Sequence, residues 1–458
     1  MSAAPVLTPA PGRDYANHVN PQWVRLLELL RMNVRYTRCT GTELLTEDSR
    51  RILDFLSGYS VHNTGHNHPY VVSELQRELA SSGPGMLQSH VPELAGALAA
   101  RLTARAGGRL NRVFFCSSGS EGVETAIKFA RAHTRRDGLL FGQGGFHGLT
   151  CGALSLMTER FWTEGFGPML AGTQAVPVGR VQDLPALEQH LATRRYAAFI
   201  VEPLQSEAGI RVFEAEYLRQ AQALCRRFGT LFVLDEVQTG LHRTGPFLAA
   251  HHYKLDPDMV ILAKALSGGL VPVGAVLSSN EVSDSVYSSL RRAIVHTSTY
   301  SENALAMRAG MATLDVLERE GLGERAARLG EELRRRLAEV LAPYEMVKEV
   351  RGLGLLCGIE FRPPRSLRLR IAFESFRRIH PGMFGQVLVM RLFRDRGILT
   401  QICGNNFMVL KIAPPLVVSE GQLEEGVAAV RAVVDLAHTS AEFWSEALGM
   451  ARRAVDII

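Results

Sequence analysis

Five short apolar runs, RVFFCSS, AAFIVEP, TLFVLDE, DMVILAK and VGAVLSS, punctuate residues 112–279 and constrain the fold more than any other feature of the chain. Bulky apolar residues fill each run, polar or glycine turns bound it, and amphipathic helical periods lie between. Strands of that kind are apolar on both faces because helices cover both faces of a mostly parallel sheet. In such sheets the ligand site lies beyond the carboxyl ends of the strands. Four of those ends read SSGSEG, EPLQSE, DEVQTG and KALSGG, and all four carry polar chemistry. After the helical stretch GERAARLGEELRRRLAEVLA, the segments MVKEVRGLGLLCGIEF and NNFMVLKIAPPLVVS read as strands of a smaller α/β unit.

The totals exclude several classes. A net charge of +5 over 458 residues, without a long basic run or interleaved aromatics, does not describe a nucleic-acid binder. No run of about 18 apolar residues is present, so no transmembrane segment is expected. The six cysteines (Cys39, Cys116, Cys151, Cys225, Cys357, Cys403) show no CxxC pairing and no signal peptide opens the chain, which favours reduced thiols and a cytoplasmic location. The opening MSAAPVLTPAPGRD is small, Pro-rich and expected to be mobile. The last helix, SAEFWSEALGMARRAVDII, repeats apolar residues at Phe443, Ala447, Leu448, Ala451 and Val455, as a helix packed on its own or a partner subunit does.

Lys264 interrupts MVILAKALSGG at a strand end, and an ammonium in an apolar setting either finds an anion or gives up its proton. Asp235 ends the preceding strand 29 residues earlier, so both stand at one sheet end. Ser118, Gly119 and Ser120 lie where a strand passes into a helix; such residues are helix caps or, through backbone amides, a phosphate nest. No metal site is expected: His62, His66 and His68 read as a structural loop. A phosphate nest, a strand-end carboxylate and a lysine of lowered pKa are what pyridoxal 5'-phosphate requires. The lysine condenses with the aldehyde, the carboxylate pairs with the ring nitrogen and the nest holds the phosphate.

The stretches FLSGYSVHNTGHNHP, FFCSSGSEGVETAIKFAR, FHGLTCGALSL, VEPLQSEAGI, LDEVQTGLHRTG, ILAKALSGG, HTSTYSENALA, VRGLGLLCGIEF and IAPPLVV resemble, over nearly the whole chain, the class III (ornithine, acetylornithine and ω-amine type) pyridoxal-phosphate-dependent aminotransferases of fold type I. The resemblance implies a large domain with a mostly parallel seven-stranded sheet, plus a smaller α/β domain built from the N- and C-terminal segments. The expected bounds are 1–70 for the N-terminal segment with its dimer contacts, 71–318 for the cofactor domain and 319–458 for the C-terminal small domain. By the same resemblance, Gly119 and Ser120 bind the phosphate, Phe146 stacks on the ring, His147 supports the site, and Glu202 and Gln238 border the ring. Asp235 pairs with the ring nitrogen, Lys264 is the imine-forming lysine and proton shuttle, and Thr299 reaches the phosphate of the opposite subunit of a homodimer.

The chain also departs from that pattern. The arginine that follows the FHG turn in ornithine and acetylornithine enzymes is Leu149 here, and the one before APPL is Lys411. Lysine offers a point charge where arginine offers a planar fork, so carboxylate recognition is looser. Glu207 resembles the gate carboxylate that pairs with the second position, and Tyr59 an aromatic that shapes the donor pocket. The pattern suggests a small-molecule donor with a terminal amine, such as a diamine, an ω-amino compound or an amine on a larger, partly apolar molecule. The acceptor is a keto acid, 2-oxoglutarate, in a ping-pong cycle. An aminomutase, racemase or decarboxylase would share Lys264 and Asp235, and a non-catalytic relative would share the fold.

Overall fold

In the computed structural model, which describes residues 12–87, 89–379 and 382–455, the five apolar runs fall within a sheet of seven strands. They are β1 (Arg112–Cys116), β2 (Gly138–Gly142), β3 (Thr173–Val176), β4 (Tyr196–Val201), β5 (Leu231–Asp235), β6 (Met259–Leu262) and β7 (Gly274–Ser278). Their spatial order is β1-β7-β6-β5-β4-β2-β3. The pairs that β7 makes with β1 and β6 are antiparallel and all others are parallel. The sheet is therefore mostly parallel, as its sequence demands.

Alternation along the strands feeds two cores. Leu139, Phe141, Ile200, Val233 and Ile261 pack with Val123, Ile127 and Phe129 of helix α1 (Gly119–Thr134). Leu140, Phe199, Val201, Leu234 and Leu262 enter the core on the opposite face. Because both faces are covered at the centre of the sheet, the central strands β4, β5 and β6 carry bulky apolar residues up to their carboxyl ends. That confines the chemistry to one edge.

The C-terminal strands Val347–Leu353, Leu356–Phe361, Gln401–Cys403 and Asn406–Ile412 form an antiparallel sheet. The N-terminal strands Tyr36–Thr40, Glu43–Thr46 and Arg51–Asp54 form another, which Ile398–Leu399 completes by pairing in parallel with Leu53 and Asp54. Helix Ala441–Val455 buries Phe443, Ala447 and Ala451, half-buries Leu448 and stacks Trp444 on Phe384, so its own chain covers its apolar stripe. The side chain of Val455 lies outside the described residues, as does the Pro-rich opening at 1–11. All six cysteines are free thiols. No helix among the described residues is long and apolar enough to cross a membrane.

Arg243 ties these parts together, and sequence reasoning passed over it. It is fully buried and donates to the carbonyls of Leu355 (3.0 Å) and Pro414 (2.6 Å), to Ser57 Oγ (3.1 Å) and to Asn63 Oδ1 (2.5 Å). Burial pulls its pKa down to about 9, with Asp54 partly offsetting. Arg243→Met would strand those acceptors, and it should destabilise the fold by about 3–5 kcal/mol. Differential scanning calorimetry would read this as a lowered thermal midpoint.

Candidate active site

Strands β5 and β6 run side by side with Asp235 opposite Ile261, so both end at the same sheet edge. Asp235 is the last residue of β5, and Lys264 opens a 3-10 turn (Lys264–Ser267) just past β6. Lys264 has φ 43°, a left-handed conformation that costs a non-glycine residue about 1–2 kcal/mol. The turn continues through Gly268 (φ 63°) and Gly269 (φ 83°), where a Cβ on Gly269 would stand 2.4 Å from His62 Nδ1. Only glycine lets the backbone pass there. Lys264 Nζ donates to Gln238 Oε1 at 3.2 Å. Burial lowers its pKa, with Glu207 partly opposing, so a share of the amine is held neutral.

A cavity of about 530 Å³ opens beyond these strand ends, the size of a small-molecule site. Ser118, Gly119, Ser120, Phe146, His147, Glu202, Glu207, Asp235, Gln238 and Lys264 all line it. Ser118 is the N-cap of α1, its Oγ accepting from the Glu121 amide at 3.2 Å, and Ser120 Oγ accepts from the Leu149 amide at 3.3 Å. The first amides of a helix lack intrahelical acceptors, so this end of α1 suits a phosphate. Val61, Leu270, Val271, Pro272 and Val273 add an apolar part to the lining.

Two buried pairs set the electrostatics. His147 Nδ1 meets Asp235 Oδ2 at 2.8 Å, and Asp235 Oδ1 accepts from the Val237 amide at 3.1 Å. Burial opposes the charged imidazole, but Asp235 outweighs it and the His147 pKa is raised. Behind Asp235, Glu236 accepts from the amides of Ala249 and Ala250, both at 2.7 Å, and burial lifts it to about 7. Glu202 accepts from the amides of Phe146 (3.1 Å) and Ser206 (3.0 Å), and burial raises it likewise to about 7.

The second pair is Glu207 with Lys411. Their side chains are in hydrogen-bond contact, Lys411 is fully buried, and Gly404 N donates to Glu207 Oε2 at 2.7 Å. Burial works against both ions, yet the mutual attraction lowers the Glu207 pKa and raises that of Lys411. The Tyr59 ring stands 5.2 Å from Lys411 Nζ. Its segment turns left-handed through Ser57, Gly58, Tyr59 and Ser60, held by Asp54 Oδ1, which accepts from the amides of Leu56 (2.8 Å) and Ser57 (2.7 Å). Tyr59 and Lys411 thus adjoin the cavity through Glu207. Leu149 is exposed at the end of the FHG turn, and Thr299 is exposed on the 290–300 segment and does not line the cavity.

Sequence reasoning missed Glu236, Trp162 and Asn405. Only the DE doublet hinted at Glu236, because neighbouring strand residues point to opposite faces. Nothing local marks Trp162 or Asn405. The three histidines of the N-terminal loop serve it structurally: His66 pairs with Asp54 (2.7 Å), His68 with Glu320 (2.9 Å), and His62 stacks on His66.

The residues fit pyridoxal phosphate. His147 Nε2 and Gln238 Nε2 are buried without a protein partner at the cavity, as befits polar atoms awaiting a polar ligand. Asp235 supplies the carboxylate, Lys264 the amine and α1 the anion-binding amides.

The family model of the class-III aminotransferases matches residues 28–434. Aminotransferase PigE of Serratia sp. (strain ATCC 39006) is 34% identical in an alignment of 452 residues that covers 92% of this chain. The chain spans about half (53%) of that relative's length. An ornithine aminotransferase from Toxoplasma gondii superposes with a TM-score of 0.78 at 30% identity, covering 88% of this chain and 90% of that one. An amine transaminase from an uncultivated Pseudomonas species, in its PLP-bound form, gives 0.77 at 28% identity over 88% and 94% of the two chains. By the family model's match over most of its length, the chain belongs to the class-III aminotransferases, a pyridoxal-phosphate-dependent family.

Proposed function

We propose that this protein moves the amino group of a terminal-amine donor to a keto acid, 2-oxoglutarate, in a ping-pong cycle, as a homodimer with shared active sites. Bound pyridoxal phosphate supplies an aldehyde that takes up the amino group and a ring that withdraws electrons. Lys264, with its depressed pKa, carries the proton between the reacting carbons. Asp235, backed by His147, keeps the ring nitrogen protonated, and the α1 amides of Gly119 and Ser120 grip the phosphate. Phe146 covers the ring, while Glu202 and Gln238 flank it. Residues 71–318 serve as the cofactor domain, and 1–70 with 319–458 as the smaller one. Thr299 reaches the partner's site. The exposed Leu290, Ile294, Val295 and Tyr300 around it support a subunit contact there. Six unpaired thiols suit a reducing compartment, the cytoplasm.

The observation that carries the donor class is the charge inventory of the cavity. Among the described residues lining it, Lys264 is the only lysine or arginine, the His147 imidazole is paired with Asp235, and Lys411 behind it is neutralised by Glu207. A donor's far end therefore meets Glu207 and an apolar wall rather than an arginine fork. That suits diamines and other ω-amines, and the exposed Leu149, next in sequence to the cavity residue Gly148, tolerates an apolar tail. A panel of diamines, ω-amino acids and alkylamines, each with 2-oxoglutarate, should give glutamate fastest with donors lacking an α-carboxylate. A large kcat/KM preference for ornithine or acetylornithine would overturn this. When the acceptor binds, Glu207 releases Lys411 to its distal carboxylate. Lys411→Ala should accordingly raise KM for 2-oxoglutarate about 30-fold or more while sparing the diamine half-reaction.

A further inference from the structure

We propose that Asn405, braced by Trp162, is a positioning residue that holds Glu207 on Lys411 and so sets how readily the site admits a dicarboxylate. This rests on the reading of Glu207 and Lys411 as the acceptor gate. The tight turn between Gln401–Cys403 and Asn406–Ile412 reaches over to the loops of the large sheet. There it grips residue 207 twice, with Gly404 N donating to Glu207 Oε2 (2.7 Å) and Asn405 N donating to the Glu207 carbonyl (2.9 Å).

The Asn405 side chain fastens the same turn to the cavity wall. Its Nδ2 donates to the Gly144 carbonyl at 2.9 Å, and its Oδ1 accepts from Trp162 Nε1 at 2.7 Å. Trp162 in turn packs edge-on against Phe146, a cavity residue, with ring centroids 5.2 Å apart. Its Cζ2 lies so near Gly404 that a Cβ there would be 3.1 Å away. The turn is thereby locked at the one place where its amide can reach the Glu207 carboxylate.

To free Lys411, Glu207 must abandon the Gly404 amide as well. A ligand that requires the open arrangement binds with an affinity reduced by the fraction of molecules already open. Every contact that fixes the turn lowers that fraction. Asn405 touches no reacting group, so its influence runs through the turn that holds Glu207 and through Trp162, which packs on Phe146.

Asn405→Ala and Trp162→Phe in the holoenzyme test this. The probe is glutarate, a dicarboxylate with no reacting carbonyl, with butyrate as its monocarboxylate control, both measured by calorimetry. Loss of one or two uncharged hydrogen bonds should tighten glutarate binding about three- to tenfold in Asn405→Ala. Trp162→Phe should shift it the same way by less. KM for 2-oxoglutarate should fall in parallel, while butyrate binding, the KM for pyruvate and the diamine half-reaction stay within about twofold of wild type. Unchanged or weaker glutarate binding in both variants, or equal shifts for glutarate and butyrate, would overturn the proposal. If Lys411→Ala leaves glutarate binding untouched, the gate reading itself fails. If Lys411→Ala weakens it and both Asn405→Ala and Trp162→Phe are silent, only the role of Asn405 fails.

Discussion

Lys264→Ala should lose about 10⁴-fold or more in kcat/KM for transamination of any donor, the largest effect expected of a single substitution in this chain. The cavity offers no understudy. Among the described residues lining it, Lys264 is the only lysine, and Lys411 is committed to Glu207. The lysine is also held in its place, by a left-handed backbone at φ 43° and by the Gln238 amide oxygen, so a neighbouring amine could not reproduce its approach. Cofactor binding should survive, because the α1 amides and Asp235 are untouched. The variant should therefore retain pyridoxal phosphate by mass spectrometry yet lack the long-wavelength absorbance of the lysine-linked cofactor. Glutamate formation from a diamine and 2-oxoglutarate gives the turnover. A variant that kept wild-type turnover would remove Lys264 from the chemistry and with it the proposed mechanism.

The sheet and the residues at its edge were legible because their sequence signals are local. An apolar run that ends in Asp235, or in Lys264 followed by two glycines, states both the strand and the point where it stops. The five strands that carry such runs and the placement of Asp235 beside Lys264 follow from that, whereas β2 and β3 were expected only through the family resemblance. Other parts of the site depend on contacts far apart in sequence. Asn405 meets Trp162 across 243 residues, and Arg243 meets Leu355 and Ser57 across 112 and 186. Neither residue type in its local setting announces such a partner. The antiparallel course of β7 was hidden for a related reason, since a buried apolar strand reads alike in both directions. The left-handed turn at Tyr59 was equally invisible, for only one of its four residues is glycine and the strain is held by Asp54 and Arg243 from elsewhere.

Asp235→Asn should cost about 10²–10³-fold in kcat/KM while leaving the fold intact, because the amide preserves shape and removes only the charge. The carboxylate lines the cavity, where it is proposed to meet the ring nitrogen, and it pairs with the fully buried His147. Without it, burial is opposed only by the weaker pull of Glu202, and the imidazole pKa should drop from above its ordinary value of about 6.5 to below it. Ring-proton titration by NMR would read that reversal directly. Stability carries the same signature. A histidine whose folded pKa is raised adds stability that is fully present below about 6.5 and is lost as the pH rises through the folded value. The gap in thermal midpoint between wild type and Asp235→Asn should therefore be wider near about pH 5.5 than near about pH 9. A substitution that cut turnover but left the His147 titration unmoved would mean that Asp235 acts on the substrate side alone. His147 would then be a bystander to the chemistry rather than the group that holds Asp235 in its charged, oriented form.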